Sequence, residues 1–307
     1  MRALEVIDRR GFYNLVEKVF LEAKFPEKFS NFSKKTYGNF NHVFLLLYKS
    51  RLNLSGRRFE KIANELGLNR LLCIKRIPNH STSSRFLKKV DKELFRLMTQ
   101  ACATLLDLIE SKAIIDSTGF SLTNPSFHYV KRMKKKNGEE TVKVKNYVKT
   151  SLIVDAKTKI VLNVDHTLRD RHDVIFFKPL FEELKIKVLQ INADKGYDDE
   201  KLYRYCFEKN ILPMISMKEY KQSAKGFGLT KKIGKGWFRK KASKIFDEKL
   251  YHQRSLIESV NHSIKATLGG FIRSKLPENQ EKEATLKTIV YNLERINGML
   301  KIEIWLN

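Results

Sequence analysis

Apolar positions recur at helical spacing through the first third of the chain. "NFNHVFLLLYKSRLN" (39–53) is apolar through its centre and predicts a helix. "GRRFEKIANELGLN" (56–69) sets Phe59, Ile62, Ala63 and Leu66 on one face, and Gly67 then stops the helix. "IPNHSTSSRFLKKVDKELFRLMTQACATLLDLIE" (77–110) follows Pro78 with a Ser/Thr cluster suited to capping. It predicts one helix running on towards residue 110. The pair of helices around Gly67 has the outline of a DNA-binding helix-turn-helix, and equally of a small packed bundle.

At residue 113 the period changes. "KAIIDSTGF" is a short apolar run read as a strand ending in an acid, Asp116. An Asn-Gly turn signal stands at 137–138. "NYVKTSLIVDAKTKIVLNVDHT" reads as two strands around the turn "DAKTK", so 113–166 predicts a three-stranded antiparallel meander. Then come a helix in "HDVIFFKPLFEELKIK" with Asp173 as its cap, a strand in "VLQINADKGYDD" ending at Asp194, a helix in "DDEKLYRYCFEKN" and a buried strand in "ILPMIS". The order β-β-β-α-β-α-β describes a mixed α/β sheet, and strand ends are where open α/β sheets place their sites. We divide the chain into a helical N-terminal domain at 1–110 and an α/β domain at 111–307. The second holds a basic segment at about 217–250 and a C-terminal helix in "NQEKEATLKTIVYNLERINGMLKIEIWLN".

One amphipathic segment stands out, "YHQRSLIESVNHSIK" (251–265). At about 100° per residue, Tyr251, Arg254, Glu258 and Lys265 fall within roughly 60° of one another. Leu256, Ile257, Val260, Ile264 and Leu268 form the opposite, apolar stripe. By itself this is a surface helix with an Arg254–Glu258 ion pair at i,i+4.

Charge changes that picture. The 307 residues carry 60 Lys/Arg against 34 Asp/Glu, a net charge of +26. Such an excess repels itself, and a polyanion, first of all nucleic acid, is the economical partner. Ten Lys/Arg lie between Lys218 and Lys244 with only one Glu. They include Lys231, Lys232, Arg239, Lys240 and Lys241, and are interleaved with Tyr220, Phe227, Trp237 and Phe238. Glycines add mobility, so this segment reads as a flexible, backbone-following surface with rings for stacking. "KRMKKK" (131–136), with Arg132 and Lys134, reads as a basic hairpin tip that contacts DNA. The longest apolar run, "VFLLLY", falls far short of the roughly 20 residues of a membrane span. Cys73, Cys102 and Cys206 are too scattered for a disulfide framework or zinc site and read as buried, reduced thiols in an intracellular protein. His166 and His172, with Asp165, Asp170 and Asp173 nearby, read as local turn and capping chemistry rather than a metal site.

Asp116, Asp194 and Glu258 together fit one chemistry. Phosphoryl transfer on DNA uses two hard cations about 4 Å apart, and a few carboxylates suffice to hold them. In this order the motifs "IIDSTGF", "NADKGYDDEKL" and the Tyr251, Arg254, Glu258, Lys265 spacing (Y-x2-R-x3-E-x6-K) resemble the DDE transposases of bacterial and archaeal insertion sequences. "KRIPNHSTSSRFLKK" resembles the stretch before the catalytic domain in that group. The resemblance implies an RNase H-like mixed sheet flanked by helices and cut-and-paste or related transfer of a 3′-hydroxyl to target DNA. It implies two Mg²⁺ (or Mn²⁺) ions on Asp116, Asp194 and Glu258, with Tyr251, Arg254 and Lys265 at the phosphates. Expected partners are double-stranded DNA, as terminal inverted repeats and target, and a second copy in a synaptic homodimer. No membrane is involved, and the setting is prokaryotic cytoplasm and nucleoid. Only 63 residues separate Asp194 from Glu258, which leaves no room for the large β-rich insertion of some relatives. A nuclease without strand transfer and an inactive transposase-derived DNA-binding protein are the alternatives.

Overall fold

The computed structural model describes residues 9–29, 36–122, 147–169, 171–223, 229–233 and 235–306. Six helices come first: α1 (Arg9–Glu22), α2 (Asn39–Arg51), α3 (Gly56–Ala63), α4 (Leu68–Leu71), α5 (His80–Lys89) and α6 (Lys92–Thr104). α2 buries residues all round, from Val43 to Tyr48, as expected of a helix apolar on every side. α3 is capped by Ser55, which accepts from Arg58 N, and Gly67 at φ +67° turns the chain into α4, a single helical turn. The single helix predicted over 77–110 is two. Asn79 caps α5, and Asp91 accepts from Glu93 N to begin α6, so Val90 between them is extended.

The central sheet has the order β3-β2-β1-β4-β5. β1 (Glu110–Leu122), β2 (Tyr147–Asp155) and β3 (Val161–Thr167) are the antiparallel meander expected. β4 (Lys187–Ala193) and β5 (Leu212–Ile215) run parallel to β1. Their connections are α7 (Val174–Glu182) and α8 (Glu200–Glu208). This is the mixed α/β sheet expected, flanked by helices and preceded by a helical region. In the basic segment, β6 (Glu219–Ser223) and β7 (Leu229–Ile233) form a separate antiparallel hairpin, followed by α9 (Trp237–Ile245). Lys231 and Lys232 lie on β7. Arg132, Lys134, the Asn-Gly turn and Asp170 lie outside the described residues.

The amphipathic segment is also two helices, α10 (Glu248–His252) and α11 (Ser255–Leu268). The break falls where Asn192 on β4 donates to the carbonyl of Leu250 at 2.5 Å and contacts that of Tyr251 at 3.5 Å. The backbone tightens there, with Arg254 N donating to Tyr251 O and Leu256 N to Gln253 O. α11 buries Ile257, Val260, Ile264 and Leu268, the predicted stripe, with Leu256 half-buried beside it. After β8 (Phe271–Ile272), which pairs with the far end of β1, α12 (Pro277–Leu306) runs back through the molecule. It packs on α2, α6 and β3, so helices and sheet share one apolar core. Asn292 on α12 donates to and accepts from the backbone of Val161, which covers the exposed edge at β3. Cys102 and Cys206 are buried as expected, whereas Cys73, at positive φ after α4, is exposed. No helix among the described residues is long and apolar enough to cross a membrane.

Candidate active site

The first acid is not at a strand end. β1 continues six residues past Asp116 because β2 goes on pairing with it, with Asp116 opposite Leu152. What stops near Asp116 is the other neighbour. The parallel pairing of β1 with β4 ends at Ile114 opposite Asn192. Asp116 and Asp194 each stand two residues beyond that pair, and side chains alternate with period two, so both acids belong to one sheet face. That face is the one Asn192 presents to α10, and α11 lies along it. Asp194 leaves the sheet as the cap of a 3₁₀ turn, Lys195–Tyr197, accepting from Gly196 N at 2.8 Å.

Burial pushes the Asp116 carboxyl up to about 6, and the charges of Asp194 and Asp173 add to the rise. The Ser117 N–H and the Arg254 guanidinium act against it. Three more side chains come from α11 and from Arg254 just before it. Asn261 Nδ2 lies 3.5 Å from Asp116 Oδ2. Lys265 sits with its ammonium 5.9 Å from the Phe120 ring, its pKa lowered by burial and partly restored by Asp116. Arg254, whose charge Asp116 also feels, bonds Glu258 Oε1 at 2.7 Å. Tyr251, on α10, packs its ring 5.4 Å from that of Phe246.

The structure therefore brings Asp116, Asp194, Arg254 and Lys265 to one place. It turns Glu258 to Arg254 instead, and Glu258 is 59% exposed. Among the described residues no three His, Cys, Asp or Glu side chains converge into a group ready to hold a metal ion. A third nearby acid is Asp173. It stands at the start of α7 but its side chain caps nothing there; Lys149 on β2 holds it at 2.8 Å and also donates to Arg171 O.

Gly196 shows why the second motif carries a glycine. A Cβ there would lie 2.8 Å from Asp194 Oδ1 and 3.6 Å from Asp173 Oδ2. Tyr197 is buried behind it, its hydroxyl 3.4 Å from Ser117 Oγ. Gly196→Ala is expected to keep the fold, with an unchanged melting curve, and to displace the Asp194 carboxylate, since the added methyl would lie 2.8 Å from its Oδ1. An unmoved Asp194 carboxylate in a crystal structure of the variant would contradict this geometry.

Two acids of the second motif have roles that the sequence pattern hides. Asp198, its side chain fully buried, pairs with Arg239 at 2.9 Å and accepts from Tyr203 and from Lys218 N. Glu200 accepts from the backbone N–H groups of Phe238 and Arg239 and so caps α9. Gly236, at φ +152°, makes room, since a Cβ there would collide with the Glu200 carboxylate. These contacts fix α9 to α8 and engage the donors of Arg239 within the protein. Lys240 and Lys241 remain exposed, and Lys241 sits over the rings of Phe207 (4.4 Å) and Trp237 (5.5 Å).

The transposase DDE domain family matches residues 108–293, more than half of the chain, and the chain belongs to that family. The match spans β1 through most of α12 and includes Asp116, Asp194 and Glu258. Among solved structures, the chain is similar to piggyBac transposase in a cryo-EM structure of its synaptic complex with hairpin DNA. The identity is 10% and the TM-score 0.43, over 95% of this chain and 73% of that one. No curated protein matches it in sequence.

Proposed function

We propose that the protein is a transposase of the insertion-sequence type that cuts DNA at its element's ends and joins the freed 3′-hydroxyl to target DNA. One observation carries the reading. The register of β1 and β4 sets Asp116 and Asp194 on one face, against the helix that presents Arg254, Glu258 and Lys265 at the spacing of that group.

The donors suit a hard cation. Asp116, Asp194 and Glu258 offer only carboxylate oxygens, and the buried Asn261 amide lies beside Asp116, its Oδ1 without a hydrogen-bond partner among the described residues. These three acids would hold two Mg²⁺ or Mn²⁺ ions. When bound, such ions polarise phosphoryl oxygens and lower the pKa of water. The chain's own residues position the DNA. Arg254 has the fork geometry for two phosphate oxygens, Lys265 supplies a half-buried point charge beside Asp116, and the Tyr251 hydroxyl hydrogen-bonds the backbone. Binding requires Arg254 to exchange Glu258 for phosphate, which releases the third carboxylate towards the aspartates. Lys231, Lys232, Lys240 and Lys241 track the flanking backbone, and the helical domain at 1–110 adds a further contact. Two copies of the chain pair the two element ends.

End-labelled duplex carrying the inverted repeats that flank the reading frame tests this, with Mg²⁺ and a target plasmid. Nicked ends and joined products are the expected result. Cleavage without joining would favour a nuclease, and binding with neither would favour a DNA-binding protein alone.

A further inference from the structure

Asn261 is the polar intruder on the buried side of α11. Val260 and Ile264 next to it are buried, and Asn261 itself is only 9% exposed. Its amide ends at the Asp116 carboxylate, where Nδ2 reaches Oδ2 at a long 3.5 Å. Its Oδ1 is buried and has no hydrogen-bond partner among the described residues. A buried amide acceptor left unmade carries its full desolvation penalty, and a residue such as Leu at this position would avoid it. Among the described residues its amide bonds no backbone group of the sheet, only the Asp116 side chain. The stranded oxygen belongs to the same amide whose Nδ2 reaches Asp116 Oδ2.

We infer that Asn261 is a positioning residue for the cation beside Asp116: Nδ2 orients the Asp116 carboxylate, and Oδ1 accepts a hydrogen bond from a water carried by the cation. Mg²⁺ and Mn²⁺ sites of this kind keep several waters, each of which needs an acceptor. Groups that orient a ligand and a bound water in this way set metal affinity by about 10–100-fold. One amide serves both ends of the arrangement, as donor to the ligand and acceptor from the water. The inference rests on the reading of Asp116 as a cation ligand, and it adds a residue outside the three acids and outside the Tyr251, Arg254, Glu258, Lys265 set.

The test is calorimetric titration of the DNA-free, full-length chain with Mn²⁺ alone, alongside thermal melting in EDTA. Asn261→Leu keeps the side-chain size and removes the stranded oxygen. It is expected to melt at or above the wild-type temperature and to bind Mn²⁺ about 10–100-fold more weakly. A merely structural asparagine gives the reverse, a lower melting temperature with unchanged Mn²⁺ affinity, and that result overturns the inference. If Asn261→Leu does not fold, Asn261→Ala and Asn261→Asp decide. Ala is expected to weaken Mn²⁺ binding, while Asp keeps the acceptor oxygen and binds as tightly as the wild type or tighter; wild-type affinity in Ala overturns the inference. Asp116→Asn separates the two levels. If it loses Mn²⁺ binding while Asn261→Leu does not, only the role of Asn261 fails. If Asp116→Asn also binds normally, the cation reading of the site fails with it.

Discussion

Asp116→Asn is expected to abolish cleavage and joining, by at least about 10³-fold, and at the same time to make the metal-free protein more stable at neutral pH. The two effects have one cause. Burial raises the Asp116 carboxyl from 3.8 to about 6, so the folded protein carries an ionised carboxylate at pH 7 in a place that disfavours it. The folded state binds this proton more tightly than the unfolded state. The favourable contribution of the protonated acid is therefore complete below about pH 4, declines as pH rises from about 4 to 6, and is gone above that. The difference corresponds to about 3 kcal/mol. A neutral amide of the same shape avoids the loss. In EDTA, Asn at 116 should raise the melting temperature by several degrees at pH 7 and leave it unchanged at pH 4. Mn²⁺ should then stabilise the wild type and not the variant, since only the wild type gains binding free energy. A lower melting temperature for the variant in EDTA at pH 7 would mean that the carboxylate is held by partners in the protein.

The sheet was legible because its strands differ in period and length from the helices around them. The meander, both βα units and the apolar stripe of α11 all stand where the pattern puts them. Three boundaries were not legible, and each depends on a partner distant in sequence. Asp116 reads as a strand end because the apolar run stops there; β1 continues because β2 supplies hydrogen bonds to a polar stretch, "STGFSL". The stretch from Tyr251 to Lys265 contains no glycine or proline, yet it breaks at Gln253 and Arg254 because Asn192, some sixty residues earlier, draws on the carbonyls of Leu250 and Tyr251. Residues 77–110 read as one helix because Asp91 sits inside a charged run, where a cap looks like any surface acid.

Within the site, Asp116 and Asp194 could have been placed together from register alone, but register requires knowing that the strands are parallel neighbours. Asn261 was within reach of sequence reasoning. On a helical wheel it falls between the apolar stripe and the edge that carries Arg254 and Lys265, and only its burial shows that it faces inward. Asp198 and Glu200 were hidden differently. In "GYDDEKL" they resemble further catalytic acids, and only the fold shows that they hold the basic helix α9.

Glu258→Gln is expected to separate chemistry from binding. Glu258 stands apart from the aspartates, bonded to Arg254 at 2.7 Å on an open surface. Such a pair contributes only about 0.3–0.5 kcal/mol, so its loss should hardly move the melting temperature. The consequence for DNA is larger. Without the pair, the guanidinium no longer has to leave a carboxylate to reach phosphate, and one negative charge beside the backbone is gone. Binding of element-end duplex in EDTA, followed by fluorescence anisotropy, should tighten by several-fold. Cleavage and joining with Mg²⁺ should fall by at least about 10³-fold, because the third carboxylate is missing when the site assembles. Arg254→Ala should do the opposite at the binding step, weakening affinity and lowering the salt slope by about one. In the double variant the gain from Glu258→Gln should vanish, since no guanidinium is left to release. If Glu258→Gln instead cleaves at the wild-type rate, Glu258 belongs to the surface ion pair alone. If it is inactive and also binds DNA more weakly, the pair organises the DNA surface, and the exchange of carboxylate for phosphate at Arg254 is not how the site assembles.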